Sequence, residues 1–282
     1  MSITFKRMQE AEEGTVLVLD SLNLAFRWKH QKALHFKDEY LRTVESLKKS
    51  YKASNVIILS DWGKSSYRMA LYPEYKANRK EKQEQQTPEE EAYFERFFEE
   101  YLRIIEHYQA SPYPTFRFKN VEADDIAGYI SKMRQAFGIQ KIWNISSDKD
   151  WDILCQPGIS RFSYVTRKEV TYENWSEHYP EWSQEDYISI KCLMGDAGDN
   201  VPGVEKIGPK TASKLVGAYG TALDIAISIP IPGKYVYIKN LNSFGSDAIL
   251  RNYKLMDIPT FCEEAIGEEN IGIINERLCN LS

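Results

Sequence analysis

The sequence predicts an α/β fold with a mostly parallel central sheet flanked by helices, because buried strands alternate with amphipathic helices. Continuous apolar runs, each followed by an aspartate, indicate strands that are covered on both faces, at residues 15–20 (TVLVLD), 56–61 (VIILSD) and 141–148 (KIWNISSD). Between these runs, residues 38–52 and 122–137 carry apolar side chains at helical spacing. This alternation is typical of a doubly wound fold.

The composition of the 282-residue chain excludes several classes of protein. It is 43% hydrophobic and 27% charged, which is close to the globular average and unlike disordered, collagenous or coiled-coil chains. Apolar runs of about four residues are too short to cross a bilayer, so we expect no membrane partner. The acidic N-terminus is unlike a secretory signal, and the four cysteines form no CxxC pair. These features predict a protein of the reducing cytoplasm.

A basic segment stands out against the net charge of −5. Residues 63–82 contain six basic and two acidic residues, with tyrosines between them. The basic residues are Lys64, Arg68, Lys76, Arg79, Lys80 and Lys82. Such a segment favours phosphate binding, although a solvated helix face would have a similar composition.

The strongest helix signal follows the basic segment. Thr87, a proline and Glu90 form a capping box, and the apolar pattern continues to about Tyr108. Residues 63–109 therefore read as a long insertion between two strands of the sheet, and such insertions usually carry function. Strand signals fade beyond about residue 183. We therefore predict an α/β domain over residues 1–180 and a helical lobe over residues 181–282.

Acidic residues collect where the predicted strands end. Asp20, Asp61 and Asp148 each follow a strand, and the carboxyl ends of parallel strands meet at one edge of a sheet. Each alone would be an ordinary turn former. Further acids follow in the VEADD, SSDKDWD and GDAGDN motifs: Glu122, Asp124, Asp125, Asp150, Asp196 and Asp199. Converging carboxylates with no histidine or cysteine select hard cations such as Mg²⁺ or Mn²⁺. Beside a basic segment they predict metal-assisted phosphodiester cleavage.

A second phosphate site is predicted in residues 201–216 (VPGVEKIGPKTASKLV). Gly203 and Gly208 frame a hairpin turn, and Pro209 opens a helix. Backbone N–H groups at that helix N-terminus, with Lys206 and Lys210 nearby, would bind a DNA phosphate. An ordinary Gly-Pro helix start is the alternative.

The ordered motifs LDSLNLAFRWK, LSDWGKSSYR, PEYKANR, VEADDIAGYI, SSDKDWD and MGDAGDNVPGVEKIGPKTA resemble the flap endonuclease and 5′-nuclease family, in particular the stand-alone 5′-nucleases of T-odd tailed phages. The resemblance covers roughly residues 15–260. It implies a PIN-like α/β domain with two active-site divalent ions, a helical arch over residues 63–109 and a helix–hairpin–helix-like lobe. It further implies cleavage of branched or 5′-flapped DNA, with 5′-3′ exonuclease action, in replication. A phage-encoded relative would act as a monomer in the host cytoplasm.

The resemblance also implies roles for the acidic residues. Around one metal it places Asp61, Asp124, Asp125 and Asp148. Around the second it places Asp150, Asp196 and Asp199, with Asp148 between the two ions. Asp20 and Glu122 would ligate directly or through water.

Basic and aromatic residues receive roles in the same way. Lys76 and Arg79 match the catalytic cations at the base of the arch, and Tyr75 matches the base-stacking aromatic residue. Arg27 and Lys191 match basic residues near the scissile phosphate. The hairpin residues Gly203, Gly208 and Lys210 match a segment that in many relatives also holds K⁺.

Two other functions share part of this pattern. A PIN-type ribonuclease would need the acidic residues but neither the arch nor the hairpin. A non-catalytic DNA-binding scaffold would need the basic residues but not nine carboxylates.

Overall fold

A six-stranded sheet forms the centre of the protein in the computed structural model, which describes residues 11–79 and 85–279. The strands are β1 (Glu12–Asp20), β2 (Ala53–Leu59), β3 (Thr115–Phe116), β4 (Lys141–Ile145), β5 (Ile159–Phe162) and β6 (Glu169–Val170). Their order is β3-β2-β1-β4-β5-β6, and the pairs are parallel except β5 with β6. The predicted mostly parallel sheet is confirmed.

The three strands predicted from apolar runs form the middle of this sheet. β1 lies between β2 and β4, with Asp20 opposite Leu59 and Leu19 opposite Ile145. Their side chains are buried because helices cover both faces. The other strands have two to four residues, which is too short to produce a readable pattern.

Helices account for most of the remaining described chain. They are α1 (Ser21–His30), α2 (Lys37–Ser50), α3 (Ser66–Leu71), α4 (Pro88–Gln109), α5 (Ala123–Met133), α6 (Trp175–His178), α7 (Tyr187–Met194), α8 (Pro209–Tyr219), α9 (Ala222–Ser228), α10 (Val236–Phe244), α11 (Ser246–Met256), α12 (Ile258–Ile266) and α13 (Glu268–Leu278). A 3₁₀ helix spans Lys149–Leu154. Within the described ranges, no helix is both long and apolar enough for a membrane span.

The sheet has a separate core on each face because neighbouring residues of a strand point to opposite sides. Leu17 and Leu19 pack with α1, α2 and α4, whereas Val16 and Val18 pack with α5, α12 and α13. The predicted insertion contributes both to the core and to an exposed surface. The second half of α4 belongs to the core, whereas its first half, which follows the basic segment, is mostly exposed.

The predicted capping box at the start of α4 is confirmed. The Glu90 N–H donates to Thr87 Oγ1 at 3.2 Å, and the Thr87 N–H donates to the Glu90 carboxylate at 2.9 Å. Lys80 and Lys82 lie outside the described residues.

Helices α7 to α11 surround a further hydrophobic core that includes Leu193, Ala212, Leu215, Ile225 and Leu241. The last two helices return to the sheet, and α12 packs so closely on α5 that a Cβ on Gly128 would lie 2.7 Å from a methyl group of Ile258. The predicted division near residue 180 stays a prediction. Residues from both sides of that division contribute to the core of the sheet.

Candidate active site

The carboxyl edge of the sheet brings aspartates from three strands together. Asp20 ends β1 and caps α1, where it accepts the Asn23 N–H at 3.2 Å and the Ser146 hydroxyl at 2.8 Å. Asp61 follows β2 and accepts the Ala123 N–H at 2.7 Å. Asp148 follows β4 and is exposed, and it caps the 3₁₀ helix. The predicted position of these residues at one edge agrees with the strand order.

The carboxylates at this edge are poorly compensated electrostatically. Burial raises the pKa of Asp20 to about 8, and the nearby charge of Asp61 adds to the effect. Burial also raises the pKa values of Asp61 and Asp124, and the nearby charge of Asp148 raises the pKa of Asp124 further. Protonation is one way to relieve such crowding, and binding a cation is another.

Lys191 on α7 lies between two further aspartates. Its amine contacts the Asp150 carboxylate and lies 3.3 Å from Asp196 Oδ2. Burial raises the pKa of Asp150 to about 6 although Lys191 opposes the change. Burial would also raise the pKa of Asp196, but Lys191 and the N–H groups of Asp199 and Gly198 hold it below its usual value.

The basic segment supplies a second set of cations. Lys76 Nζ lies 2.8 Å from Glu122 Oε1 and 3.7 Å from Asp199 Oδ2, and Arg79 lies 2.7 Å from Asp199 Oδ1. Burial would lower the pKa of Lys76, but Glu122 and Asp199 hold it above its usual value. Lys76 is 8% exposed, so it is not the solvated helix lysine that the composition left open.

Two residues of the basic segment are buried, which disagrees with their predicted contacts with DNA. Arg68 was expected to bind DNA, but it is 4% exposed, makes two hydrogen bonds to Asp125 at 2.7 and 2.8 Å, and donates to the Leu255 carbonyl. Tyr75 was expected to stack on a base, but it is 3% exposed, with its hydroxyl 3.0 Å from Glu122 and 2.9 Å from Asp199. Contacts distant in sequence bury both side chains.

The donor set fits hard divalent cations. A cavity of about 20 Å³ has room for one water molecule or monatomic ion. Its lining includes Asp124, Asp150, Asp196 and Asp199, together with Arg68, Tyr75 and four apolar side chains. The donors are carboxylate oxygens, which Mg²⁺ and Mn²⁺ prefer. Across residues 11–79 and 85–279, no three acidic, histidine or cysteine side chains are already arranged as a metal shell, because basic side chains hold several of these carboxylates. Cation binding would therefore exchange internal ion pairs for metal bonds.

Not every predicted DNA contact lies at this edge. Lys64 is exposed and its amine lies 3.3 Å from the Lys76 carbonyl. Arg27 instead lines a separate cavity of about 690 Å³, where its guanidinium lies over the rings of Trp28 and Tyr164. The structure therefore does not bring Arg27 among the acidic residues.

The hairpin before α8 has the predicted helix start at Pro209, with Gly208 as its N-cap. A Cβ on Gly203 would lie 1.9 Å from the Met194 carbonyl oxygen, so the close approach requires glycine there. A Cβ on Gly208 would have no atom within 4 Å, so space does not require glycine at that position. Lys206 and Lys210 are exposed, and Lys210 lies 3.6 Å from Glu181. The helix N-terminus therefore faces solvent beside two amines.

Sequence reasoning missed two residues that hold the acids in place. Ser146 donates to Asp20, and the Trp151 indole N–H donates to Asp124 Oδ1 at 2.7 Å. Trp151 lies within the SSDKDWD motif and is completely buried, so a tryptophan among aspartates was the available signal.

Comparisons with known proteins agree with this architecture. The family model "5′-3′ exonuclease, N-terminal resolvase-like domain" matches residues 15–180, and "5′-3′ exonuclease, C-terminal SAM fold" matches residues 182–273. The flap endonuclease of Escherichia phage T5 is 42% identical over 266 residues, which cover 93% of this chain and 90% of the relative.

Solved structures of the phage T5 protein have the same fold. A complex of that flap endonuclease with DNA and metal ions has a TM-score of 0.89 at 40% identity, covering 95% of this chain and 98% of the other. A structure with bound zinc has the same TM-score and identity, with coverage of 95% and 99%. On the strength of both family models and of the extended similarity to the phage T5 enzyme, the chain belongs to the 5′-3′ exonuclease family.

Proposed function

We propose that this protein is a structure-specific DNA 5′-nuclease that hydrolyses phosphodiesters as a flap endonuclease and 5′-3′ exonuclease in DNA replication. The observation that carries the proposal is the carboxyl edge of the sheet, where burial, together with neighbouring carboxylates, raises the pKa of Asp20 and Asp150. Lys76 and Lys191 lie among these carboxylates. Family membership supports the same reaction class.

The metal requirement follows from the donor set. We assign one Mg²⁺ site to Asp61, Asp124 and Asp148, where Asp125 contributes if it leaves Arg68. The second site comprises Asp150, Asp196 and Asp199, and Asp20 and Glu122 act directly or through water. Divalent ions bound there supply an activated water and stabilise the leaving oxygen. Mn²⁺ substitutes for Mg²⁺ because both accept all-oxygen ligation. K⁺ at the hairpin is a further proposal that rests on the resemblance alone.

The basic side chains of the site then act on the phosphate. Lys76, Arg79 and Lys191 are the catalytic cations, because negative charge grows on the phosphoryl oxygens during the reaction. The carboxylates around Lys76 and Lys191 hold the pKa of each amine above its usual value although burial opposes this, so both remain charged. Arg79 is more exposed, with 58% of its side chain accessible, and can follow the substrate.

Duplex binding belongs to the second part of the chain. The open N-terminus of α8 receives a phosphate from backbone N–H groups, and Lys206 and Lys210 add charge. Exposed Lys64 contacts the phosphates nearer the acids. In this proposal residues 1–180 supply most of the cleavage site, and residues 181–282 add Lys191, Asp196 and Asp199 to it and grip the duplex. The monomer acts on branched or 5′-flapped DNA with a single-stranded 5′ end in the cytoplasm of the host.

Substrate choice separates this function from the two alternatives. The protein with Mg²⁺ is given a labelled 5′-flap DNA and, in parallel, a single-stranded RNA of the same length. We expect cleavage of the flap near its junction and little cleavage of the RNA. Preferential cleavage of RNA would favour the PIN-type ribonuclease, and tight binding of both without cleavage would favour the scaffold.

A further inference from the structure

A further cavity adjoins the acidic edge, and part of its lining has no role in the proposed reaction. Its volume is about 660 Å³, and its lining includes Asp148, Asp150, Asp196 and Lys191. Asp150 and Asp196 also line the small cavity described above, so the two cavities are neighbours. Any group that occupies the larger cavity therefore lies beside the reacting phosphate.

Aromatic side chains also line this cavity. Tyr179, Trp182 and Tyr187 line it, and the rings of Trp175, Tyr179 and Trp182 form a continuous stack. The centroids of Trp175 and Tyr179 are 4.5 Å apart, and those of Tyr179 and Trp182 are 5.5 Å apart with an interplanar angle of 19°. Trp175 is buried, whereas Trp182 ends the stack and is half-buried.

Hydrogen bonds fix this stack in place. The Trp175 indole N–H donates to the Trp182 carbonyl at 2.9 Å, and the Tyr179 hydroxyl donates to Asp152 at 2.5 Å. The Tyr187 hydroxyl donates to the Lys149 carbonyl at 2.9 Å, beside the acidic motif. Because these hydroxyl groups are satisfied within the protein, Tyr179 and Tyr187 present chiefly ring surface to the cavity.

A lining that combines carboxylates and an amine with aromatic rings matches the two parts of a nucleotide. The phosphate requires the charged groups, and the base requires a flat apolar surface. A cavity of this size is ordinary for a ligand site. Stacking also tolerates any base, as a nuclease that recognises structure rather than sequence needs.

We propose that Trp182, supported by Tyr179, is a positioning residue on which a base next to the scissile phosphate stacks. This inference rests on the proposed function, because it assigns the acidic edge to phosphodiester cleavage. It gives the site the stacking surface that the buried Tyr75 does not provide.

A coupling experiment between ring and base tests the proposal. Trp182→Leu keeps an apolar side chain against the helical core but removes the ring, whereas Trp182→Phe keeps a ring. Each variant is measured for single-turnover kcat/KM on an intact 5′ flap. The same measurement is made on a series of flaps in which one nucleotide after another around the scissile phosphate is abasic.

We expect Trp182→Leu to lose about tenfold in kcat/KM on the intact flap and Trp182→Phe to keep most of the activity. At one abasic position the kcat/KM of the wild type should fall by a similar factor, whereas the kcat/KM of Trp182→Leu should not fall further. Tyr235→Ala is the matched control, because Tyr235 is 58% exposed and stacked on Tyr237 but does not line the cavity. It should behave as wild type on every substrate.

The proposal would be overturned if Trp182→Leu lost the same factor in kcat/KM, relative to the wild type, on the intact flap and on every abasic flap. A packing defect would give that result because it does not depend on the substrate base. The same conclusion would follow if Trp182→Phe lost as much as Trp182→Leu. Flap cleavage by the wild type without any coupling would leave the proposed function intact. No cleavage by the wild type would overturn the proposed function and this inference with it.

Discussion

Two ion-pair clusters near the acidic edge, one buried and one partly exposed, differ in a way that separates structure from function. Arg68 and Asp125 form a two-fold hydrogen-bonded pair whose side chains are 5% and 1% exposed, and Arg68 also binds the Leu255 carbonyl. Lys191 instead shares one amine between Asp150 and Asp196, and these side chains are 15%, 29% and 24% exposed. The first pair is closed and satisfied, whereas the second can exchange partners.

This difference in burial distinguishes charged residues that stabilise the fold from those that can bind a substrate or a metal. Two buried hydrogen bonds from Arg68 to Asp125 join α3 to α5, and a third, to the Leu255 carbonyl, joins α3 to α11. Loss of the Arg68 side chain should therefore affect folding. An amine shared between accessible carboxylates can turn to a phosphate or give way to a metal. The four predictions below test this contrast, beginning with the largest expected effect.

The largest effect should come from opening the closed pair. Arg68→Ala leaves Asp125 buried without its partner, and breaking a buried pair in this way typically costs about 3–5 kcal/mol of unfolding free energy. Urea unfolding of the variant and the wild type measures the difference. Arg103→Ala is the control, because the Arg103–Glu100 pair has a 60% exposed arginine and should contribute little. A similar, small change for both variants would show that Arg68 is not structural.

The next largest effect concerns turnover rather than stability. Removing one electrostatic donor at a reacting phosphate costs about 10²- to 10³-fold in rate, so Lys191→Ala and Lys76→Ala should each lose that much single-turnover cleavage of a 5′ flap. DNA affinity should stay within a few-fold of the wild type. Near-wild-type cleavage by either variant would contradict its role as a catalytic cation.

A smaller effect is expected on stability without metal. Burial raises the pKa of Asp20 from 3.8 to about 8, so the folded state holds this proton more tightly than the unfolded chain does. The stability of the metal-free protein should therefore fall as pH rises from about 4 to about 8. In EDTA near the upper end of that range, Asp20→Asn should raise the unfolding free energy by about 1–3 kcal/mol, with a smaller gain at acidic pH.

Saturating Mg²⁺ supplies the control for this prediction. It should stabilise the wild type more than Asp20→Asn, because ligand binding stabilises the folded state that binds it. A variant that is less stable than the wild type in EDTA throughout this pH range would show that Asp20 is not electrostatically strained.

The smallest expected effect is at the hairpin. Lys210 is exposed and pairs only loosely with Glu181, so Lys210→Ala should leave stability unchanged. Duplex binding should weaken, and the slope of log affinity against log salt should fall by about one. Glu181→Ala is the control, since it should leave that slope unchanged or steepen it. Reduced turnover with unchanged affinity would contradict a positioning role for Lys210.

The sequence predicted the elements whose signals are local. β1, β2 and β4 are continuous apolar runs, and the aspartates that follow them meet at one edge because parallel strands end there. The capping box of α4 and the start of α8 also lie within a few residues of chain.

The missed features depend on contacts between distant residues. β3 and β6 have two residues each, so no period can be read from them. The burial of Arg68 and Tyr75 follows from α5, α11 and Asp199, which lie far along the chain. A basic or aromatic residue in an insertion therefore cannot be assigned to DNA binding before its packing partners are known.

The central claim is that crowded carboxylates and their cations form a metal-dependent site that cleaves DNA. Its most direct test is to follow cleavage and binding of one labelled 5′ flap with Mg²⁺ and with EDTA. We expect cleavage only with Mg²⁺ and substantial binding in both conditions, because α8 and its lysines lie outside the acidic cluster. Full cleavage in EDTA would contradict it.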